Sequence, residues 1–393
     1  MNIEDFDQSP IGRLVRLQGH DPRLQREFDH WAYVPNDLSE NIALTNQTHS
    51  AVADAAREIG RLQSAIDQFP NPGILLHTSL KREAQSTSAL EGTYAPLESI
   101  FEGEYLNKSE INSELREILN YIEAANLGLN EIKGKPIHIN MLSELQGLIV
   151  KGTQGGQSRA GQVRNTPVII GERSSPVESA RFIPPPEGKW LNEGYQNWET
   201  WINTDHAMSK IIKIALSHYQ FETLHPYNDG NGRLGRLIIS LQFVTFGLLN
   251  PPVLNLSAYL NEFKEEYKDQ LLNLSKDGNF DRWIDFFAVA ITKQVQNELA
   301  RIKSLIGHRE KMFLEIKKSG GRGIITEVPD FVLERPLFSI QELANKFDVT
   351  YPAANTAILK LVDLGFLAEI TNRKSRKLFL APQILNILNN SGR

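Results

Sequence analysis

The 393-residue chain has no cysteine, which excludes disulfides, thiolate catalysis and Cys-ligated zinc and leaves hard-metal chemistry as its metal option. It has no apolar run approaching the ~18 residues that would cross a bilayer, so no membrane span is expected. The stretch Met1-Asn2-Ile3-Glu4-Asp5 carries neither the basic nor the apolar region of a signal peptide, and the reading is a cytoplasmic protein. Excess charge is also scarce: 42 basic residues stand against 47 acidic ones, and the net of -5 argues against wholesale coating of nucleic acid. No internal repeat or low-complexity tract is visible. What remains is the composition of an ordinary soluble chain, 41% hydrophobic and 23% charged, long enough for about two or three domains.

Chemistry concentrates in twelve residues, His225-Pro226-Tyr227-Asn228-Asp229-Gly230-Asn231-Gly232-Arg233-Leu234-Gly235-Arg236. Leu234, Leu237, Ile238, Leu241 and Val244 follow with helical spacing, so the glycines sit at a helix N-terminus. The first turn of a helix presents N–H groups without intrahelical partners, and a glycine-rich entry lets a phosphate approach them. Arg233 and Arg236 project from the same end, and two guanidinium forks beside an anion cradle suit a polyphosphate. Asp229 is placed to share a Mg²⁺ ion with phosphate oxygens. His225, with an ordinary pKa near ~6.5, suits proton abstraction from an attacking hydroxyl. Asp229-Gly230 and Asn231-Gly232 are also ordinary turn dipeptides, and Asn231 alone would serve as a cap. The function reading rests on their conjunction.

The segment resembles the signature of the Fic family (filamentation induced by cyclic AMP), His-x-Phe-x-Asp/Glu-Gly-Asn-Gly/Lys-Arg-x-x-Arg, with Tyr227 in place of the usual Phe. The resemblance implies a protein adenylyltransferase that moves AMP from ATP to a Ser, Thr or Tyr hydroxyl of a protein. It implies His225 as general base, Asp229 as Mg²⁺ ligand, Gly230, Asn231 and Gly232 as anion cradle, and Arg233 and Arg236 on the outer phosphates. The related Doc-type kinases carry a Lys and lack the second glycine of the loop, so the intact Gly-Asn-Gly favours AMP transfer over phosphorylation. Phosphocholine or UMP transfer stays open.

Upstream, Leu80 to Gly92 has good helix formers followed by a glycine suited to a helix end, which puts Thr87 and Glu91 on one face. On its own this reads first as an exposed polar face ending at a glycine. Beside the first motif, Thr87-Ser88-Ala89-Leu90-Glu91-Gly92 resembles the Fic inhibitory motif, Ser/Thr-x-x-x-Glu-Gly/Asn. The resemblance implies autoinhibition, with the Glu91 carboxylate taking a phosphate's place on Arg236. In some relatives the same Glu also positions water to remove AMP.

The fold expected is mainly α: a Fic-type helical core with a short β-hairpin flap, plus a small C-terminal winged helix-turn-helix domain. The boundaries read as 1–105 for an N-terminal helical region containing the inhibitory helix, 106–318 for the catalytic core and 333–393 for the winged helix. Gly161 to Gly171 and Ala180 to Pro186 read as the hairpin, which in the family aligns the target segment by strand addition. Arg164 and Arg181 receive no role. Tyr259, in a segment resembling the one that lines the family's adenine pocket, is a candidate for base contact, and His218 reads as a packed core residue. In the C-terminal part, Ser339 caps one helix, Thr350 to Leu364 reads as the recognition helix offering chiefly Asn355 and Lys360, and Arg373, Lys374, Arg376 and Lys377 make a basic wing. DNA binding ranks below protein docking or dimerisation for this region. The expected partners are ATP and a protein with an acceptor hydroxyl, with self-modification and a homodimer compatible. The rival reading is a DNA-binding regulator whose nucleotide site is a sensor.

Overall fold

The computed structural model describes residues 1–21, 25–69, 71–153, 159–171, 176–370 and 377–390. Helix α1 (Asn46–Ile66) is capped by Thr45 and buries Val52, Ala55, Ile59, Leu62 and Ile66 at three- and four-residue spacing. That stripe lies along α11 (Phe280–Lys318), the longest helix described. Helix α2 (Ile74–Leu90) differs in kind, because it is buried on nearly every side although Lys81, Arg82, Glu83, Thr87 and Ser88 belong to it. Buried charge needs partners. Lys81 Nζ meets Glu104 at 2.7 Å, Arg82 Nη1 meets Glu298 of α11 at 2.8 Å, and Glu83 accepts from the Ser257 hydroxyl. The polar face seen in the sequence is therefore internal wiring.

After α2 come α3 (Leu97–Glu102), α4 (Ser113–Glu131), α5 (Ile139–Ile149), α6 (Lys189–Asn203), α7 (Lys210–Leu224), α8 (Asn231–Thr245), α9 (Leu256–Glu262) and α10 (Lys264–Asp277). Helices α4, α8 and α9 pack directly on α2. One apolar core joins them, from Val52 to Leu388. Among the described residues no helix is long and apolar enough to cross a membrane.

Residues 1–35 depart from the helical expectation. Strands β1 (Gly12–Asp21) and β2 (Arg26–Pro35) form an antiparallel hairpin in register from Gly12 opposite Pro35 to Asp21 opposite Arg26. Its buried face makes a second, small core in which Met1, Phe6, Leu17, Phe28 and Tyr33 pack on Val177, Phe182 and Ile183. The partner residues lie some 150 positions away in sequence, which is why local periodicity did not announce the strands.

The expected flap is shorter than the hairpin read from the sequence. Within the described residues it is one antiparallel bridge, Ile170 opposite Phe182, followed by a 3-10 turn at Val177–Ser179 on its inner side. In that register Val168 would face Pro184, and Pro184, Pro185 and Pro186 have no N–H to donate, so the ladder cannot extend. Residues 172–175 lie outside the described residues.

At the C-terminal end come α12 (Val328–Glu334), β3 (Leu337–Ser339), α13 (Ile340–Phe347), α14 (Tyr351–Asp363), β4 (Ala368–Glu369), β5 (Leu378–Leu380) and α15 (Pro382–Asn389), with strand order β3-β5-β4. Ser339 and Glu342 form a reciprocal capping box. This region shares the main core: α12 packs on α2, α15 on α11, and the Tyr105 hydroxyl donates to Leu337 O at 3.1 Å. Lys360 donates to Ser319 O at 2.9 Å, so one of the two groups expected to face bases is engaged with the protein itself. Of the expected wing, residues 371–376 lie outside the described residues, and Lys377 pairs with Glu369 at 3.1 Å.

Candidate active site

Helix α7 stops where His225 adopts a left-handed conformation, φ 48°, and Gly230 repeats the device at φ 78° before α8 begins. Between them the loop is pinned to the core. Tyr227 is fully buried, its hydroxyl 3.0 Å from that of Ser143 and 3.1 Å from that of Tyr195. Asn231 uses both ends of its carboxamide on Tyr227, accepting from its N–H at 2.9 Å and donating to its carbonyl at 2.7 Å. The Asn231 side chain is thus a staple across the loop, and only its backbone N–H is left for the anion cradle expected of it. Leu234 N–H is the first in α8 to find an intrahelical acceptor, Gly230 O, and no side chain caps the helix. The first turn keeps its positive end.

Glu91 lies at that end. Arg236, 3% exposed, donates from Nη2 to Glu91 Oε1 at 2.5 Å, from Nε to Thr87 Oγ1 at 2.6 Å and from Nη2 to Thr87 O at 3.1 Å. Thr87 and Glu91 share the face expected of them, and both spend it on one guanidinium. Gly92, at φ 90°, turns the chain out of α2. Burial alone would raise the Glu91 pKa, but Arg236, helped by Arg233 and Lys264, outweighs it and holds the carboxyl below its ordinary value.

His225, Gly232, Arg236, Leu90 and Glu91 line one cavity of about 770 Å³, closed on the opposite side by Ile170 and Phe182 of the flap. The His225 ring is partly exposed and its Nδ1 is buried without a partner, so its access to the cavity is through Nε2. Burial, reinforced by the charge of Arg164, pushes its pKa down to about 4. The ring is neutral at physiological pH and able to take a proton.

Other expected residues lie at the margin or elsewhere. Arg233 is held by Glu117 of α4 at 3.1 Å and lies 3.8 Å from Asp229, and it does not line the cavity. Asp229 caps Gly230 N–H at 2.6 Å while 36% of its side chain stays exposed. Among the described residues no group of three or more His, Asp or Glu could hold a metal by itself. A single half-exposed carboxylate at a phosphate-competent helix end fits an Mg²⁺ that arrives with phosphates and keeps its waters, and does not fit a resident ion. Tyr259 does not line this cavity. It stacks on Phe263 at 4.5 Å and Phe286 at 5.8 Å, outside the cavity lining, because α9 turns that face toward α11. Tyr267 of α10 lines the cavity instead, 2.7 Å from Nε2 of the buried His218, which stacks on Trp283.

Two residues of the site went unassigned in the sequence. Arg164, 3% exposed, donates to His225 O at 2.8 Å, Pro185 O at 2.6 Å, and Leu224 O and Thr166 O at 3.3 Å. It fixes the backbone on which the histidine turns. Glu222, on the cavity wall, has a buried Oε1 with no partner, and burial pushes its pKa up to about 7 against the pull of Arg236.

A profile described as Fic/DOC family N-terminal matches residues 49–130, and one described as Fic/DOC family matches residues 136–243. Residues 49–130 and 136–243 thus match the two parts of the Fic/DOC family. Its curated relatives include a probable protein adenylyltransferase of Aquifex aeolicus, 27% identical over 146 residues, covering 36% of this chain and 45% of the relative. Another is the protein adenylyltransferase Fic of Drosophila yakuba, 30% identical over 125 residues, covering 31% of this chain and 24% of the relative. The match thus spans less than half the length of these curated relatives. Among solved structures, a Fic family protein from Desulfovibrio desulfuricans superposes with a TM-score of 0.55 at 17% identity, covering 87% of this chain and 98% of the other. Fic-1 (residues 134–508) of C. elegans gives 0.52 at 20% identity, covering 65% and 74%. These likenesses establish the Fic fold, including the mainly helical core.

Proposed function

We propose that the chain is a Mg²⁺-dependent protein adenylyltransferase, transferring AMP from ATP to a Ser, Thr or Tyr hydroxyl and held at low activity by Glu91. The observation that carries the reading is the Glu91 carboxylate on Arg236, at the bare N-terminus of α8, in the cavity that His225 lines. A base, an anion-binding helix end and a guanidinium fork occupied by an acid form a nucleotide site with its anion position already filled. In the reaction the acceptor oxygen bonds to the α-phosphorus, its proton passes to Nε2 of His225, and the bond to the bridging oxygen breaks to release pyrophosphate. Asp229 would hold Mg²⁺ beside the phosphates, where the ion supplies charge neutralisation. The first-turn N–H groups of α8 and Arg236 hold phosphate oxygens once Glu91 has moved aside. Autoinhibition is then competition for one guanidinium.

The test is incorporation of label from α-labelled ATP. Glu91→Gly raises self- or target modification by at least about tenfold, the worth of ~1.4 kcal/mol in favour of phosphate over carboxylate, and His225→Ala abolishes it in either background. Mass spectrometry of Glu91→Gly with ATP and lysate names the acceptor by its gain of one AMP. Equal labelling of the Glu91→Gly variant and the parent would sink the inhibitory assignment, and labelling by His225→Ala would sink the base.

A further inference from the structure

Helix α2 is a wall between two cavities. Leu90 and Glu91, at its C-terminal end, line the one already described, while Arg82, Gln85 and Ser86, earlier in the helix, line the other. The second cavity, about 360 Å³, lies between α2, α9, α11 and α15. That is within the range of small-ligand pockets, roughly 300–1,000 Å³. Its polar lining is unusual for a space enclosed by four helices.

Gln294 of α11 is the telling residue. It is 4% exposed, its carboxamide has no hydrogen-bond partner among the described residues, and what exposure it has opens into this cavity. The amide opens to the cavity, where it can both donate to and accept from a ligand. Beside it Arg301, 5% exposed, lines the same cavity and donates from Nη2 to Asn390 O at 2.8 Å. Charge points the same way. Arg82 and Arg301 share one buried carboxylate, Glu298, at 2.8 and 2.7 Å, which leaves one cationic charge in excess within the buried wall. Glu262 stands at the mouth and is solvent-exposed. Asn261 and Asn297 add amides that both donate and accept, the equipment for hydroxyl groups.

We propose that this cavity binds a small hydroxylated monocarboxylate of the sugar-acid class, its carboxylate toward Arg301 and its hydroxyls on Gln294, Asn261 and Asn297. Occupancy stiffens α2, and because Glu91 caps the C-terminal end of the same helix, the site is placed to set how readily Glu91 leaves Arg236. Only that consequence for activity rests on the function proposed above.

The probe is D-gluconate, with sorbitol as its uncharged counterpart, titrated calorimetrically into the full chain without nucleotide. Gluconate binds with one site, and sorbitol binds about tenfold or more weakly for want of the charge. Gln294→Leu weakens gluconate by about tenfold, the cost of one unpaired polar group, and Asn261→Ala, at the partly exposed rim, weakens it in the same direction. Arg236→Ala, which dismantles the anion position of the first cavity, keeps saturable gluconate binding and shifts its affinity less than Gln294→Leu does, because the two cavities are coupled through α2 and not shared. Amide exchange across residues 82–92 slows at least about threefold with gluconate bound, in the parent and in His225→Ala alike. Absence of saturable gluconate binding, or binding removed by Arg236→Ala and retained by both Gln294→Leu and Asn261→Ala, overturns the site. Unchanged exchange in α2 overturns its coupling to Glu91. Since no readout uses ATP, failure here is distinct from failure of the transferase reading.

Discussion

A β-carbon placed on Gly232 would collide with Oε1 of Glu91, the same oxygen that Arg236 holds. The glycine is thus needed for an acid oxygen to descend on the first turn of α8, and a phosphate oxygen has the same requirement. A double-mutant cycle tests the contact. Gly232→Ala should destabilise the parent by about 1–3 kcal/mol, as overpacking does, and cost clearly less in the Glu91→Gly background. Equal losses of denaturation free energy in the two backgrounds would mean that the carboxylate does not lie there.

Arg164 separates positioning from chemistry. Its guanidinium reaches four carbonyl oxygens, including that of His225, from the far side of the loop. Lysine keeps the charge but not the fork, so Arg164→Lys leaves acceptors unpaired and lets the His225 backbone drift. In the Glu91→Gly background, kcat for AMP transfer should fall about tenfold or more while the KM for ATP stays within about twofold. A loss confined to KM would place Arg164 on the nucleotide instead.

The stretches that carry chemistry were legible because they are contiguous: His225 to Arg236 span one loop and one helix turn, and Thr87 to Gly92 span one helix end. The α1, α4, α5 and α11 helices follow from local sequence for a related reason, since each buries a stripe at its own period. What escaped depends on distant partners. Strands β1 and β2 carry polar sequences such as Gly12-Arg13-Leu14-Val15-Arg16, and their apolar face is completed only by Val177 to Ile183. Arg164 looks like a surface charge until four carbonyls converge on it, and Tyr259 looks like a ligand until α9 is seen turning it toward Phe286. Tyr267 carries no local mark of facing the cavity that His225 lines.

The N-terminal hairpin should hold the flap. Phe6, Tyr33 and Phe182 form a ring triad with centroids 5.4, 6.0 and 5.7 Å apart, and Tyr33 N–H donates to Ile183 O at 2.9 Å. Replacing the buried Phe6 by Ala removes the shared member, at a cost of about 3–5 kcal/mol to this small core. Limited proteolysis should then cut within 160–185 faster than in the parent while α7 and α8 stay protected. An unchanged cleavage rate there would show that the hairpin does not support the flap.

Asp229 should report on the ion. Asp229→Asn keeps the acceptor for Gly230 N–H and removes the charge, so the fold is little altered while Mg²⁺ attraction weakens. The Mg²⁺ concentration for half-maximal labelling by Glu91→Gly should rise about tenfold or more, and EDTA should abolish labelling in both forms. Labelling that persists in EDTA would remove the metal from the scheme.

The pH dependence follows from two groups on the same cavity with opposite signs. His225 has its pKa lowered to about 4, so between about 4 and 6.5 the unfolded chain binds a proton that the folded one does not, and stability falls as pH falls through that window. Glu222 has its pKa raised from 4.5 to about 7, so the folded chain keeps a proton that the unfolded one releases, and stability falls as pH rises from 4.5 to 7. Glu222→Gln removes the second dependence and leaves the first. Its gain in Tm over the parent should therefore be small at pH 5 and reach a few degrees at pH 8, where the ionised carboxyl would otherwise be buried without a partner. With Glu222 replaced by Gln, activity follows His225 alone in this range. AMP transfer by Glu91→Gly in that background should be flat from pH 8 down to pH 6, since the base loses its free form only near pH 4, and a half-point at pH 6.5 would show an imidazole in ordinary solvent and contradict the buried geometry.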